Sequence, residues 1–283
     1  MLILDEKKIR KGKPIGLPYQ GSKKKISKKI IEIIKQNFGT DKIIYDVFGG
    51  GGAITAECLL NGLEVHYNDL DKEITDMFQR VISQDRDYLK TLLVSRDEFM
   101  EIRNKENKTV DDNIKLLINS FGNNKNGYLY SKEWSDMKYN LAIEIINKHD
   151  VFSGYKQTET YRNANRPYDE GKIERAKQLE RLQQLERLEP TNLSYEAFSN
   201  IEGAVFYLDP PYENTTHATY KGDFDSQAFY DWAYEMSKNN IVLISSYEIS
   251  DDRFECVYEF KTAKSTLQRG CAGKRYEKLF MVK

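Results

Sequence analysis

The 283-residue chain has few cysteines, histidines and prolines, and it lacks long apolar runs. Cys58, Cys256 and Cys271 are scattered, so they show neither the pairing of a disulfide framework nor the spacing of a zinc site. Three dispersed histidines leave little for a metal centre or a Ser/His/Asp triad. No apolar stretch approaches the roughly 18–20 residues that span a bilayer, and no signal sequence is recognisable. We therefore expect a cytoplasmic protein with no metal and no membrane partner.

The chain also lacks a large net charge, but its charges are unevenly distributed. The formal net charge is −1. Residues 1–42 contain twelve Lys/Arg against four Asp/Glu, and residues 253–283 contain eight against three. Clustered cations, rather than a high overall isoelectric point, are what contacts with phosphates require. Solvated basic helix faces would give the same distribution, so charge alone leaves the partner open.

The first third of the chain has the pattern of a βαβ unit. Apolar residues at helical spacing predict a basic amphipathic helix over residues 26–38. A strand, a helix, a second strand and another helix are then predicted at 42–46, 53–61, 63–67 and up to about 83. The length of the chain fits one such core with an inserted lobe.

A glycine run joins the first predicted strand to its helix. In Asp46-Val-Phe-Gly-Gly-Gly-Gly52 the missing Cβ atoms let a nucleotide-like ligand approach the backbone. Asp69 follows the second strand, where a carboxylate accepts hydrogen bonds from ribose hydroxyls. The spacing is not that of a dinucleotide fingerprint, so an adenosyl cofactor without a pyrophosphate fits better. A tight structural turn and a helix-capping Asp69 are the alternatives.

The middle of the chain differs from its ends. Polar helical patterns and an Asn/Gly-rich loop occupy residues 84–168 without clear strand alternation, which is typical of an insert. A helix is predicted from Lys172 to Glu189, before Pro190. Buried strands at 204–208 and 241–244, a helix at 226–238 and a hairpin turning at 270–273 complete the prediction.

The segment Asp209-Pro-Pro-Tyr212 directly follows the predicted strand at 204–208. Pro210 and Pro211 fix φ and remove two backbone donors, so carbonyl acceptors dominate there. The Asp209 carboxylate and the Pro210 carbonyl would favour pyramidalisation of a delocalised amine such as adenine N6 and stabilise the charge that develops on it. Tyr212 would stack on a base flipped out of a duplex. A proline-stiffened structural loop is the alternative.

Taken in order, these motifs resemble the Dam-like (D12 class) N6-adenine-specific DNA methyltransferases of the alpha group. Pro18-Tyr-Gln-Gly-Ser-Lys23 is similar to the family's N-terminal cofactor motif, and Asp46–Gly52 to its glycine motif. Asn68-Asp69 is similar to its ribose-binding acid, and Asp209–Tyr212 to its catalytic motif. The resemblance implies an α/β, Rossmann-like S-adenosylmethionine-dependent methyltransferase sheet with an inserted, largely helical target-recognition domain.

The resemblance also implies roles for individual residues. The implied cofactor-binding residues are Tyr19, Lys23, Asp46, Phe48, Gly50, Gly52, Asp69 and Asp209, and the implied catalytic residues are Asp209, Pro210, Pro211 and Tyr212. The similarity extends to Ser245-Ser246-Tyr247 and to Tyr276-Glu-Lys-Leu-Phe280. Ser194-Tyr195 departs from the family, many members of which carry an acidic residue before an aromatic one on the strand preceding the catalytic strand.

The hypothesis from sequence is a monomeric enzyme that transfers a methyl group from S-adenosylmethionine to N6 of a flipped adenine in double-stranded DNA. Its catalytic domain would comprise residues 1–84 and 169–283, with the target-recognition insert at 85–168. The candidate DNA contacts are Lys24, Lys28, Asn123, Asn124, Lys125, Lys264, Arg269 and Lys274. An RNA or other amine methyltransferase, or a catalytically silent DNA-binding protein on the same scaffold, remains an alternative. No pattern in the sequence indicates which DNA bases flank the methylated adenine.

Overall fold

The structure is a computed structural model, and it describes residues 1–19, 21–164, 171–213, 224–264 and 276–283. The chain divides into two compact units. The first comprises Met1–Pro14, Lys23–Lys72 and Glu189–Lys283, and the second comprises Ile15–Ser22 and Glu73–Leu188.

The first unit contains a six-stranded sheet of order β2-β1-β3-β4-β6-β5. The strands are β1 (Ile44–Asp46), β2 (Val65–Tyr67), β3 (Val205–Leu208), β4 (Ile241–Ser246), β5 (Phe254–Lys264) and β6 (Tyr276–Val282). The neighbouring strands β2, β1, β3 and β4 are parallel to one another, whereas β6 is antiparallel to both β4 and β5. The strand order reverses between β1 and β3, which is where open α/β sheets bind ligands.

The described helices are α1 (Ser27–Phe38), α2 (Ala53–Leu60), α3 (Lys72–Ile82), α4 (Arg86–Lys90), α5 (Arg96–Asn104), α6 (Val110–Asn119), α7 (Lys132–His149), α8 (Glu159–Asn163), α9 (Gly171–Leu182) and α10 (Ser226–Met236). None of them is long and apolar enough to span a membrane. Short 3-10 helices lie at Glu6–Lys8, Lys23–Lys25, Phe121–Asn123, Tyr155–Gln157 and Tyr195–Phe198.

Both faces of the sheet are covered. Along β3, Val205 and Tyr207 belong to one apolar cluster while Phe206 and Leu208 belong to another, as the alternation of strand side chains requires. The isoleucines of α1 pack in the first cluster, and α10 supplies Phe229, Ala233 and Met236 to the second. Full burial of an isoleucine contributes about 1.5–3 kcal/mol, so α1 is held by its apolar face. The predicted helix at 26–38 and the predicted Rossmann-like sheet are confirmed.

The second unit is helical within its described residues. Val94, Phe99, Ile102, Leu116 and Tyr128 form its apolar cluster. Helix α6 begins with a capping box, in which the side chains of Thr109 and Asp112 each accept a hydrogen bond from the other residue's backbone N–H. The only pairing of strand type described here is an isolated bridge between Ser120 and Tyr128.

One local prediction was wrong. The helix expected to reach Glu189 ends at Leu182, because Gln184 and Leu185 donate to the carbonyls of Arg181 and Leu182 and so tighten the chain into a turn. Leu185 is nonetheless buried, so the apolar pattern outlasts the helix. Before the catalytic strand, Thr191 forms an isolated bridge with Asn68, and a 3-10 helix begins at Tyr195. The turn of the predicted hairpin lies outside the described residues, although β5 and β6 do pair antiparallel.

Candidate active site

Two aspartates mark the point where the strand order reverses. Asp46 is the last residue of β1, and Asp209 directly follows β3. The two strands are neighbours and parallel, so their carboxyl ends lie at the same edge of the sheet. The sequence had assigned Asp46 to the cofactor and Asp209 to both the cofactor and catalysis, and the fold brings the two acids to one edge.

The glycine run after β1 is shaped by its contact with β2. Gly50 and Gly52 have φ of 47° and 69°, in the left-handed region that favours glycine. A Cβ on Gly49 would lie 2.4 Å from Cε2 of Tyr67, which no real contact permits. The Tyr67 hydroxyl donates to the Gly50 carbonyl at 2.7 Å. The run therefore has a structural cause at Gly49, in addition to leaving the turn open to a ligand.

Asp69 is fixed beside this turn. Its Oδ2 accepts the Gly50 N–H at 2.8 Å, and its Oδ1 accepts the Asp71 N–H at 2.8 Å. Burial raises the pKa of Asp69, and the two backbone hydrogen bonds oppose that shift. The predicted ribose-binding acid is thus held against the glycine run, and each of its oxygens keeps a further lone pair for a ligand hydroxyl.

Asp46 is buried, and among the described residues only one of its two carboxylate oxygens has hydrogen-bond partners. Its Oδ2 accepts from Thr55, at 3.1 Å from the backbone N–H and 2.6 Å from the hydroxyl. Its Oδ1 is buried without a hydrogen-bond partner among the described residues. Burial raises the pKa of Asp46 to about 7, and the charges of Asp209 and Asp69 add to the effect. A buried acceptor with no donor is costly, which makes this edge of the sheet suited to a cationic or donor-rich ligand.

Asp209 lies within a network of charged and hydroxyl groups. Lys23 Nζ lies 2.5 Å from Asp209 Oδ2, and the Tyr212 hydroxyl lies 3.1 Å from Asp209 Oδ1. The same lysine nitrogen is 3.7 Å from Oε1 of Glu277, which also accepts a hydrogen bond from the Tyr212 hydroxyl. Burial raises the pKa of Asp209 to about 6, with Lys23 opposing the shift and Glu277 reinforcing it. Lys23, Asp209 and Tyr212 were all predicted from the sequence.

Glu277 had no predicted role. It lies on β6 two residues before Leu279, so both side chains point to the same, buried face of the sheet. A carboxylate at an inward-facing position of a strand is unusual unless it is paired. That alternation was the signal in the sequence that would have identified it.

Aromatic rings pack against Phe48 and against Tyr212. The ring of Phe48 lies 6.2 Å from that of Tyr195 and 5.7 Å from that of Phe229, centroid to centroid. Tyr247 packs edge-on against Tyr212, with 4.8 Å between ring centroids. Phe48, the predicted cofactor contact, and Tyr195, which stands in place of the family's aromatic partner, are therefore neighbours.

The remaining predicted cofactor contact, Tyr19, belongs to the second unit. Its backbone N–H donates to the Leu17 carbonyl at 2.8 Å, and its own carbonyl accepts from the Ser22 N–H at 3.3 Å. Its contact with the cofactor stays a prediction.

The candidate DNA contacts fall in both units. In the first, Lys24 is half-buried, which lowers its pKa to about 8, and Lys28 donates to the Gly12 carbonyl at 2.8 Å. In the second, Asn123 Nδ2 donates to the Leu117 carbonyl and Asn124 Oδ1 accepts the Asn126 N–H, so both amides shape their own loop. Lys125 is paired with Glu73. The Lys264 side chain, Arg269 and Lys274 lie outside the described residues.

Metal ligands are not grouped in the part of the chain that the structure describes. No cluster of three or more His, Cys, Asp or Glu side chains there is arranged to hold a metal ion.

The mostly parallel sheet, with acids where its strand order reverses, has the architecture of a Rossmann-like methyltransferase. Residues 19–255 match the family model of the D12 class N6 adenine-specific DNA methyltransferases, and the chain belongs to that family. It is therefore an S-adenosylmethionine-dependent enzyme of DNA adenine methylation, which confirms the function predicted from the motifs. Among solved structures, the chain is similar to the rRNA methyltransferase AviRa from Streptomyces viridochromogenes, with 13% identity and a TM-score of 0.35 over 89% of this chain and 83% of that one. No curated protein matches the sequence.

Proposed function

We propose that the acids at the end of the parallel strands hold S-adenosylmethionine, and that Asp209–Tyr212 grips the amino group of an adenine flipped from double-stranded DNA. The observation that carries the proposal is the meeting of Asp46, Asp69 and Asp209 at one edge of the sheet. Lys23, Phe48, Gly50 and Gly52 would complete the part of the cofactor site that the first unit contains.

The carboxylates at this edge of the sheet suit this cofactor. S-adenosylmethionine carries a sulfonium and an ammonium group, and the pKa values of all three carboxylates at this edge are raised by burial. A cationic ligand stabilises the ionised forms of such groups. Asp46 Oδ1 needs a donor, and Asp69 has lone pairs for hydroxyls beside the Gly50 amide. The cofactor supplies an electrophilic methyl group on sulfur.

The protein groups around Asp209 account for the other half of the reaction. A carboxylate and the Pro210 carbonyl, held after a buried strand, are acceptors for the two amine hydrogens of adenine, and they favour the pyramidal nitrogen that can attack. The negative charge of Asp209 also stabilises the positive charge that develops on that nitrogen. Tyr212 would stack on the flipped base and offset part of the stacking lost in the duplex.

Replacing Asp209 tests the catalytic half. With a labelled methyl donor and duplex DNA of mixed sequence, Asp209→Ala should leave no N6-methyladenine while retaining DNA binding. Asp252→Ala is the matched control, because Asp252 is an exposed acid in the same unit. Methylation by Asp209→Ala at the wild-type rate would refute the assigned role. A wild-type protein that binds the cofactor but methylates no duplex would refute the proposed double-stranded substrate.

The second unit supplies the proposed recognition element. The segment 85–168, assigned to target recognition from the sequence, falls within Glu73–Leu188. Its loop after α6 exposes Phe121 and sets Asn123 and Lys125 in left-handed conformations, so polar and aromatic groups are presented on a defined backbone. Lys24 and Lys28 would contact phosphates from the first unit. We further propose that the enzyme acts as a monomer in the cytoplasm of a bacterial or phage-infected cell.

A further inference from the structure

Glu277 is a buried acid that the proposed reaction does not use. It is 6% exposed. Its Oε1 accepts from the Ser245 hydroxyl at 2.8 Å and from the Tyr212 hydroxyl, and it lies 3.7 Å from Lys23 Nζ. Burying a carboxylate is costly unless it is paired and hydrogen-bonded, so these contacts give this side chain a defined orientation. The Glu277 carboxylate is thereby directed toward Tyr212 of the catalytic motif.

The Tyr212 hydroxyl cannot serve both carboxylates equally. It has a single proton, and both Asp209 Oδ1 and Glu277 Oε1 lie within hydrogen-bond reach. The Ser245 hydroxyl also donates to Glu277 Oε1, at 2.8 Å, and holds that oxygen beside the phenol. When the phenol donates to Glu277, Asp209 Oδ1 is left to accept from another donor.

Lys23 is shared in a similar way. Its ammonium lies 2.5 Å from Asp209 and 3.7 Å from Glu277. An incoming amine competes with Lys23 for Asp209. A second carboxylate within reach lets the ammonium stay paired when that competition occurs.

We propose that Glu277 is a positioning residue for methyl transfer: it holds the Tyr212 hydroxyl and shares the Lys23 ammonium, so that Asp209 can accept from the adenine amine. The inference rests on the proposed role of Asp209. Glu277 acts through Tyr212 and Lys23 and does not itself touch the reacting atoms.

The variant Glu277→Gln keeps the size of the side chain and removes its charge. The loss of one hydrogen bond to a charged group predicts a fall in kcat of about 10–100-fold. Glu259→Gln is the matched control, because Glu259 is an exposed acid on the neighbouring strand β5. The control should keep the wild-type kcat.

The pH profile separates this role from a merely structural one. Among the described residues, the titratable or charged groups that face Asp209 are Lys23, Tyr212, Glu277, Asp46 and Tyr207. The Glu277 anion raises the pKa of Asp209, so its removal should lower that pKa. The acid limb of kcat/KM for DNA, which reports the free enzyme, should therefore move to lower pH in Glu277→Gln. An unmoved limb, or a wild-type kcat, would overturn the inference.

A double-mutant cycle provides the second measurement. In a Tyr212→Phe background the hydroxyl is absent, so Glu277→Gln should lower kcat less than it does in the wild type. Equal effects in both backgrounds would show that Glu277 does not act through Tyr212. If Glu277→Gln does not fold, Glu277→Asp serves instead, since it keeps the charge at a shorter reach: kcat should fall while the acid limb stays in place, and an unchanged kcat would overturn the inference. An inactive Asp209→Ala beside an unaffected Glu277 variant leaves the proposed function standing.

Discussion

The substitution Asp46→Asn should stabilise the cofactor-free protein increasingly as the pH rises. Burial raises the pKa of Asp46 from 3.8 to about 7. The folded state therefore prefers the protonated carboxyl. The stabilising effect of the protonated carboxyl is fully present below the unfolded-state pKa, and it is lost as the pH rises through the folded-state pKa. The difference between the two pKa values corresponds to a loss of about 4 kcal/mol in the free energy of unfolding above pH 7.

Asparagine stays neutral throughout this range. The difference in the free energy of unfolding, variant minus wild type, should thus grow by about 2–3 kcal/mol between about pH 5 and pH 8. Denaturant unfolding of both proteins at matched pH measures it, and other titrating groups cancel in the difference. The altered hydrogen bonding to Thr55 adds an offset that does not vary with pH, so the slope carries the test.

A pH-independent difference for Asp46→Asn would refute the assignment of a raised pKa to this buried acid. Asp252→Asn, which replaces an exposed acid, is expected to give a flat difference. The same Asp46 variant should bind S-adenosylmethionine at least about tenfold more weakly, because the charge-assisted contact proposed for Asp46 would be lost. A gain in stability with a loss of affinity is the combination expected of a functional residue.

Three further substitutions test the site and the DNA surface. Gly49→Ala places a methyl group against the Tyr67 ring, so it should lower the free energy of unfolding by about 1–3 kcal/mol. Gly127→Ala is the control, because the added methyl group meets no atom within 4 Å. Equal melting temperatures for the two variants would contradict the packing argument. Asp69→Ala removes the acceptor of the Gly50 N–H and should weaken cofactor binding by about 10–100-fold in calorimetry, so an unchanged affinity would exclude Asp69 from the site. Lys28→Ala should reduce the slope of log affinity for duplex DNA against log salt by about 0.9, and an unchanged slope would remove Lys28 from the phosphate contacts.

The Rossmann-like half could be predicted because its signals are local. Strand β3 is a continuous apolar run that leads into two prolines, and α1 repeats isoleucine at helical spacing. Gly39, with φ of 88°, ends α1 where the pattern stops. Each of these elements follows from its own sequence, and the order of the motifs then fixes which strand ends meet.

Other features depended on contacts remote in sequence. Nothing near Glu277 in the chain shows that Tyr212 and Lys23 reach it from other elements. The end of α9 at Leu182 was missed because the leucine pattern continues into a turn that still buries Leu185. Periodicity reports burial, and burial persists where the backbone leaves the helix.

In the proposed site, the acids that would bind the cofactor are also the ones whose burial is costly to the fold. Asp46, Asp69 and Asp209 each have a pKa raised by burial, so each would be less costly to the fold as a neutral side chain. Lys23 and the backbone amides around Gly50 offset part of that cost in the cofactor-free protein. A cationic cofactor offsets more of it, because it stabilises the ionised carboxylates that the protein alone holds at a disadvantage. In the proposed site, part of the electrostatic cost of burying these acids would be recovered when the cofactor binds, which would favour the positively charged cofactor over its neutral, demethylated product.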